Sequence, residues 1–223
     1  MFDSLSVLID NHTSWIWLYI EDIKLTLFRY SHNINIFKNH QEIVDGDIMF
    51  ILSCDKIIKQ QGIQKHKHNI VIHESALPIG KGWSPLTWQV EEGKNEIPIT
   101  LFEASTELDS GDIYLRDTIF LSGDELIAEI REKQIHKTIE MIDHYLRHYP
   151  MPSIQQDGHE SFYPRRTIKD NELPVDKSIS VLFNKMRVAD NDRYPLHFKM
   201  LNKRYILKIY KDESETISNS STP

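Results

Sequence analysis

Two continuous apolar runs constrain this chain most. "DIMFILS" (Asp47–Ser53) and "NIVIH" (Asn69–His73) are each bounded by polar residues, with a short helical stretch around Lys56–Gln61 between them. A strand that is apolar on both sides must be covered on both sides, which is the situation of a central strand in a parallel sheet. Parallel neighbours also need a crossover connection. Upstream, Leu5–Ile9 and Asn33–Phe37 read as further strands. Between them, Thr13 or Ser14 caps an expected helix that carries Trp15, Leu18, Tyr19, Ile23, Leu27 and Phe28 at spacings of three and four. The expected class is α/β with a mostly parallel sheet. Ligands in such sheets collect at the carboxyl ends of the strands, and His73 stands at one of them.

Further along, Pro98–Ala104 reads as a strand, and "ELDSGDIYLRDTIFL" as a turn between two strands. Ser122 is expected to open a long helix through the capping box Ser122-x-x-Glu125, with Leu126, Ile127, Ile130, Ile139, Ile142 and Leu146 on its buried stripe. His148-Tyr149-Pro150 ends it. Residues 1–150 thus form one expected domain, and 151–211 a connector with a small carboxyl-terminal subdomain. The connector, 151–176, is polar and Pro-rich, Ser178–Met186 is a short amphipathic helix, and "YPLHFKMLNKRYILKIY" is a hairpin turning at Leu201–Lys203. Residues 212–223, rich in Ser, Thr and Glu, are expected to be disordered.

Composition narrows the partners. The net charge of -7 over 223 residues argues against a nucleic-acid-binding face. A single cysteine, Cys54, excludes a disulfide framework and points to a reducing, cytoplasmic setting. The amino terminus lacks a basic region followed by an apolar core, and no stretch approaches the roughly 20 apolar residues of a membrane span, so neither a signal peptide nor a membrane partner is expected. His66 and His68, and the pair His144 and His148, lack further ligands in register, so no metal is expected.

The candidate chemistry lies around His73. Taken residue by residue, His73 is as readily a structural histidine at a strand end, Ser75 a turn serine and Asp109 an Asx-turn residue in "DSG". No G-x-S-x-G elbow supports a serine hydrolase. In "GKGWSP", Ser84 is placed to cap a helix with Pro85 at its first position, and the amides there, with Lys81 nearby, suit an anion.

The combination H-x-S-x-L-P at residues 73–78, the Ser84-Pro85 helix start, "PIT" at 98–100 and L-D-S-G-D at 108–112 resembles the catalytic domain of formyltransferases that use 10-formyltetrahydrofolate. "MRVADNDRYPLHFKMLNKRYILKI" is similar to the start of that family's carboxyl-terminal domain, so the resemblance spans Ile48–Ile209. "HESALPIGKGWSPLTWQ…NEIPITLFEA" and "FYPRRT" look most like the nucleotide-sugar N-formyltransferase branch, which is related to methionyl-tRNA formyltransferase.

The resemblance implies a Rossmann-like formyltransferase domain, a small appended hairpin, and attack of an amine on the formyl carbon. His73 would donate to the developing oxyanion. Asp109 would orient His73 or take the amine's proton, and Ser75 would orient the ring or its loop. The family's usual asparagine, two residues before the histidine, is replaced by Val71. Asn69, ~6.6 Å further back along a regular strand, would contribute only if the strand is irregular, and another donor would otherwise fill the gap. Phe50, Leu52, Ser53, Cys54 and Ile57 would wall the folate, with Asp109 near its formyl-bearing nitrogen. Lys81, Ser84, Arg165, Arg166 and Arg193 would meet the acceptor's diphosphate, and Trp83, Tyr163 and Tyr194 its base or sugar.

The leading function implied is formylation of a UDP- or dTDP-linked amino deoxy sugar for surface polysaccharide or glycan synthesis. Methionyl-tRNA formylation is the runner-up, and would call for a longer, basic carboxyl-terminal domain. Val71 motivates a third reading, an impaired folate or nucleotide-sugar binding protein. Hydrolysis of the formyl donor is a fourth. The hairpin's free edge offers a route to a homodimer.

Overall fold

The computed structural model describes residues 1–212. Six strands form the main sheet: β1 (Leu5–Leu8), β2 (Ile34–Phe37), β3 (Gly46–Ile51), β4 (His66–His73), then, after the two-residue β5 (Lys81–Gly82), β6 (Glu96–Glu103) and β7 (Ile113–Phe120). Their order is β2-β1-β3-β4-β6-β7, with the first four parallel and the last two antiparallel. The apolar runs therefore become the two central strands.

Alternation along β1 and β3 sends Leu5, Val7, Ile48 and Phe50 to one face and Leu8, Met49 and Ile51 to the other. The first face packs on α1 (Ile20–Phe28) and α4 (Ile127–Arg147) through Ile23, Leu27, Ile142 and Tyr145. The second packs on Ile43 and Ile58, near the four-residue α2 (Gln60–Ile63). Each such aliphatic side chain, once fully buried, contributes roughly 1.5–3 kcal/mol of transfer free energy.

Three helix starts differ in detail from expectation. Ser14 caps as expected, accepting from Ile16 N at 3.2 Å, but the turn it opens, Trp15–Tyr19, is a 3-10 helix that leads into α1. Ser84 precedes α3 (Pro85–Glu91) with φ at 50°, so its hydroxyl caps nothing, while Pro85 holds the first position as expected. Glu125 does reach back to the amides of Ser122 and Gly123, at 2.6 and 3.0 Å. The helix nevertheless starts only at Ile127. Gly123 adopts a φ of 100°, and a second carboxylate, Glu129, takes the Leu126 N–H at 2.7 Å.

The connector is tied down. Ile154 bridges Ile113, and β8 (Phe162–Tyr163) pairs in parallel with β5. The amphipathic α5 (Ile179–Arg187) leads to the hairpin of β9 (Leu196–Met200) and β10 (Lys203–Leu207). Its turn residues, Leu201 and Asn202, both have positive φ, the conformation that a tight right-twisted hairpin demands. Leu173, Met186, Ala189 and Leu196 form a small separate core there. Apart from Asp212, the tail expected to be disordered lies outside the described residues. Among the described residues no helix is long and apolar enough to cross a membrane.

Candidate active site

β4 ends at His73 and the chain turns at once, with the Ser75 N–H donating to the His73 carbonyl at 2.9 Å. A bond across two residues stops the strand's alternation. Glu74 therefore lines the cleft beside His73, and Ser75 drops beneath the loop, 1% exposed. The Ser75 carbonyl accepts from Thr100 Oγ1 at 2.7 Å, while its hydroxyl has no partner among the described residues.

Asp109 arrives from the β6–β7 turn. Gly111 is required in that turn, because a Cβ there would lie 1.7 Å from the Glu103 carbonyl oxygen. Asp109 Oδ2 accepts the Gly82 N–H at 2.9 Å and lies 3.8 Å from His73 Nε2. Gly82 has a φ of 102°, and a Cβ would meet the Tyr163 carbonyl at 2.4 Å, so only glycine presents its amide here. His73 Nε2 is 2.9 Å from the Gly80 carbonyl. A carbonyl only accepts, so Nε2 carries the hydrogen. The ring is thus oriented by the Gly80 backbone, with Asp109 beside it beyond hydrogen-bond reach.

In front of this pair a cleft of about 510 Å³ opens at the carboxyl ends of β3 and β4. One wall is apolar, formed by Ile51, Leu52, Ile57, Ile58, Val71 and Phe102, with Ser53 and Cys54 beside it. Burial pushes the Cys54 thiol up to about 12, which makes it an inert wall and no nucleophile. The cleft is also lined by Trp83, Ser84, Arg165, Arg166, Arg193 and Tyr194.

Other expected residues lie elsewhere. Phe50 is in the main core, edge-on to Tyr145. Asn69 is 1% exposed on β4, donating to the Ile63 carbonyl at 2.9 Å, and is not part of the cleft. The strand is regular there, pairing Asn69 with Met49 and Val71 with Ile51, so no amide replaces Val71 from this strand. Lys81 is 2% exposed and bonded to Glu160 Oε1 at 2.5 Å, tying the loop to the connector. Tyr163 stacks on Trp88 and donates to Glu92, backing the loop from behind.

Arg165, Arg166 and Arg193 are unequal. Arg166 lies over Trp88 and is bonded to Glu91 and Asn171. Arg165 is exposed, with Asp55 at 3.4 Å. Arg193 donates to Thr13 Oγ1 at 2.7 Å. Its backbone N–H donates to Asp190 Oδ1 at 2.9 Å, but among the described residues its guanidinium is paired with no carboxylate, Asp190 being bridged to Arg131 and Asp192 to Lys208.

Motif reading passes over Glu74, Gln134 and Arg131, which also line the cleft. Glu74 lies inside H-x-S, where a strand period would turn it away from His73. Burial raises its carboxyl pKa, and Gln134 Nε2 donates to its Oε1 at 2.7 Å. Among the described residues no group of three or more His, Cys, Asp or Glu side chains is placed to hold a metal.

Known proteins resemble this chain in sequence and in fold. The methionyl-tRNA formyltransferase of Thermosipho melanesiensis is 29% identical over 170 residues, covering 76% of this chain and 54% of that protein. The chain spans about half the length of the curated relatives it matches. A solved methionyl-tRNA formyltransferase from Clostridium thermocellum superposes with a TM-score of 0.77 at 19% identity, covering 95% of this chain and 94% of that one. A sugar N-formyltransferase from Shewanella gives 0.70 at 11% identity, covering 94% and 98%. These two share the fold. The model of the family described as formyl transferase matches residues 31–142, just over half the chain, from β2 through the His73–Asp109 site into α4, and the chain belongs to that family.

Proposed function

We propose that this chain transfers a formyl group from 10-formyltetrahydrofolate to the primary amine of a UDP- or dTDP-linked amino sugar. The observation that carries the acceptor reading is Arg193, a cleft-facing guanidinium paired with no carboxylate among the described residues. With exposed Arg165 and the rings of Trp83 and Tyr194, it suits a diphosphate and a planar base.

The apolar wall from Ile51 to Ile58 with Val71 and Phe102 suits the face of the folate's ring system beside His73 and Asp109, leaving that ring's polar edge to backbone groups. The folate would supply the electrophilic formyl carbon. His73 Nε2–H, given to the Gly80 carbonyl in the free protein, is the ring proton available to the formyl oxygen as it gains charge. Asp109, oriented by the Gly82 amide, takes the proton that the amine sheds on forming its new bond, and the folate nitrogen regains one as it leaves. Val71 supplies contact and no hydrogen bond.

The names of relatives favour a second acceptor, methionyl-tRNA, through the same chemistry. An acceptor panel of UDP-, dTDP- and GDP-linked amino sugars and methionyl-tRNA, with 10-formyltetrahydrofolate as donor, separates the two. Formylation of a sugar amine is the expected result. Formylation of methionyl-tRNA alone supports the second reading, and folate product without formylated amine reduces the chain to a hydrolase.

A further inference from the structure

Glu74 faces the cleft beside His73 and has no part in the chemistry above. Its position is held from two helices. Gln89 of α3 donates to its main-chain carbonyl at 2.6 Å, and Gln134 of α4 to its Oε1 at 2.7 Å. Among the described residues no lysine or arginine pairs with it. Arg131, which lines the same cleft, is spent on Asp190 at 2.8 Å. A carboxylate held in a cleft wall without a cation is costly, and a cation arriving with a ligand relieves that cost. Burial raises its pKa, the change that favours a group able to accept a proton.

We infer that Glu74 reads the acceptor's amine: its carboxyl group binds the ammonium form and takes the proton the nitrogen must lose before it can attack. This rests on the reading that the acceptor is a primary amine. The N–H bond of the ammonium breaks and an O–H bond forms on Glu74. One positive and one negative charge become two neutral groups, and the nitrogen lone pair is freed. The second proton, lost as the carbon–nitrogen bond forms, goes to Asp109. A hydroxyl in place of the amine brings no cation, so Glu74 discriminates between them. Glu74→Gln keeps an acceptor for Gln134 and removes only the charge. A merely structural tie is therefore preserved by this variant, and amine recognition is not.

The test is calorimetric binding, with tetrahydrofolate present, of a dTDP-linked amino sugar and its hydroxyl counterpart to the wild type and to Glu74→Gln. The wild type is expected to prefer the amine by roughly tenfold or more, the scale of one charged hydrogen bond. Glu74→Gln is expected to bind both sugars equally, with tetrahydrofolate affinity unchanged and the melting temperature equal or higher, since an unpaired charge is removed from the cleft wall. A preference retained in Glu74→Gln, or absent in the wild type, overturns the inference. Failure of the sugar reading looks different: neither sugar nucleotide binds the wild type. The same comparison between methionyl-tRNA and its α-hydroxy counterpart then decides the role of Glu74, and no preference there overturns it as well.

Discussion

Two acid–base pairs in this protein are built in opposite ways. Glu125 and Arg187 meet at 3.0 Å with the arginine only 1% exposed, and every arm is used. Arg187 also donates to the Glu125 carbonyl, Asn95 and Asn184, and Glu125 accepts from Lys133 and two backbone amides. Asp109 and His73 stand 3.8 Å apart, each fixed by a backbone group of the loop, and both line the cleft. The first pair is saturated and joins α5 to the loop before α4. The second keeps capacity for a ligand. Saturation marks a joint that holds two parts of the chain together, and spare capacity marks a site.

Removing one member of the saturated pair gives the largest expected effect. Arg187→Ala should lower unfolding free energy by about 2–5 kcal/mol, because it empties a buried site and unpairs Asn95, Asn184 and the Glu125 carbonyl, although the Glu125 carboxylate keeps Lys133 and two amides. Chemical denaturation measures it, and a loss under 1 kcal/mol would break the contrast. Acid should act through the same joint. Burial alone would raise the Glu125 carboxyl, but Lys133 and the amides of Ser122 and Gly123 outweigh it and hold it at about 2, against an ordinary 4.5. A depressed carboxyl stabilises the fold above its unfolded value. That contribution, about 3 kcal/mol, should be fully present above pH 4.5 and fade as pH falls toward 2. Denaturant midpoints across that window, in the wild type and in Glu125→Gln, would show the slope in the former and its flattening in the latter.

At the cleft the pattern should invert. His73→Ala or Asp109→Asn should cut formyl transfer about 100-fold, near 2.7 kcal/mol, while circular dichroism and the denaturant midpoint stay put. Full turnover in either variant would remove that residue from the site. Arg193→Ala should raise KM for a sugar nucleotide several-fold, and roughly tenfold at most, with KM for formyltetrahydrofolate unchanged. Added salt should imitate it, since exposed phosphate contacts are screened. Equal effects on both substrates would return Arg193 to ordinary surface. The smallest effect belongs to Val71→Ala, a trimmed wall expected to weaken folate binding about threefold; abolished turnover in a stable protein would show that the wall reading is too modest.

The sequence alone determined what depends on neighbours along the chain. Continuous apolar runs marked β3 and β4, the 201–203 turn marked its hairpin, and His73 at a strand end with L-D-S-G-D marked two residues that line the cleft. Those signals are local, because strand alternation, helix spacing and turn conformation are decided within a few residues. Only the tertiary structure decided which side chains share the cleft. Phe50 and Asn69 lie on apolar strands, and the packing of the two sheet faces took them away from the cleft. Lys81 and Tyr163 were drawn aside when the connector added β8 to β5. Glu74 was turned inward by a bond across two residues and met Gln134, sixty positions along the chain. Sequence periodicity says which face of an element a residue occupies. What lies opposite that face is set by contacts between distant segments, and those form only when the sheet is covered.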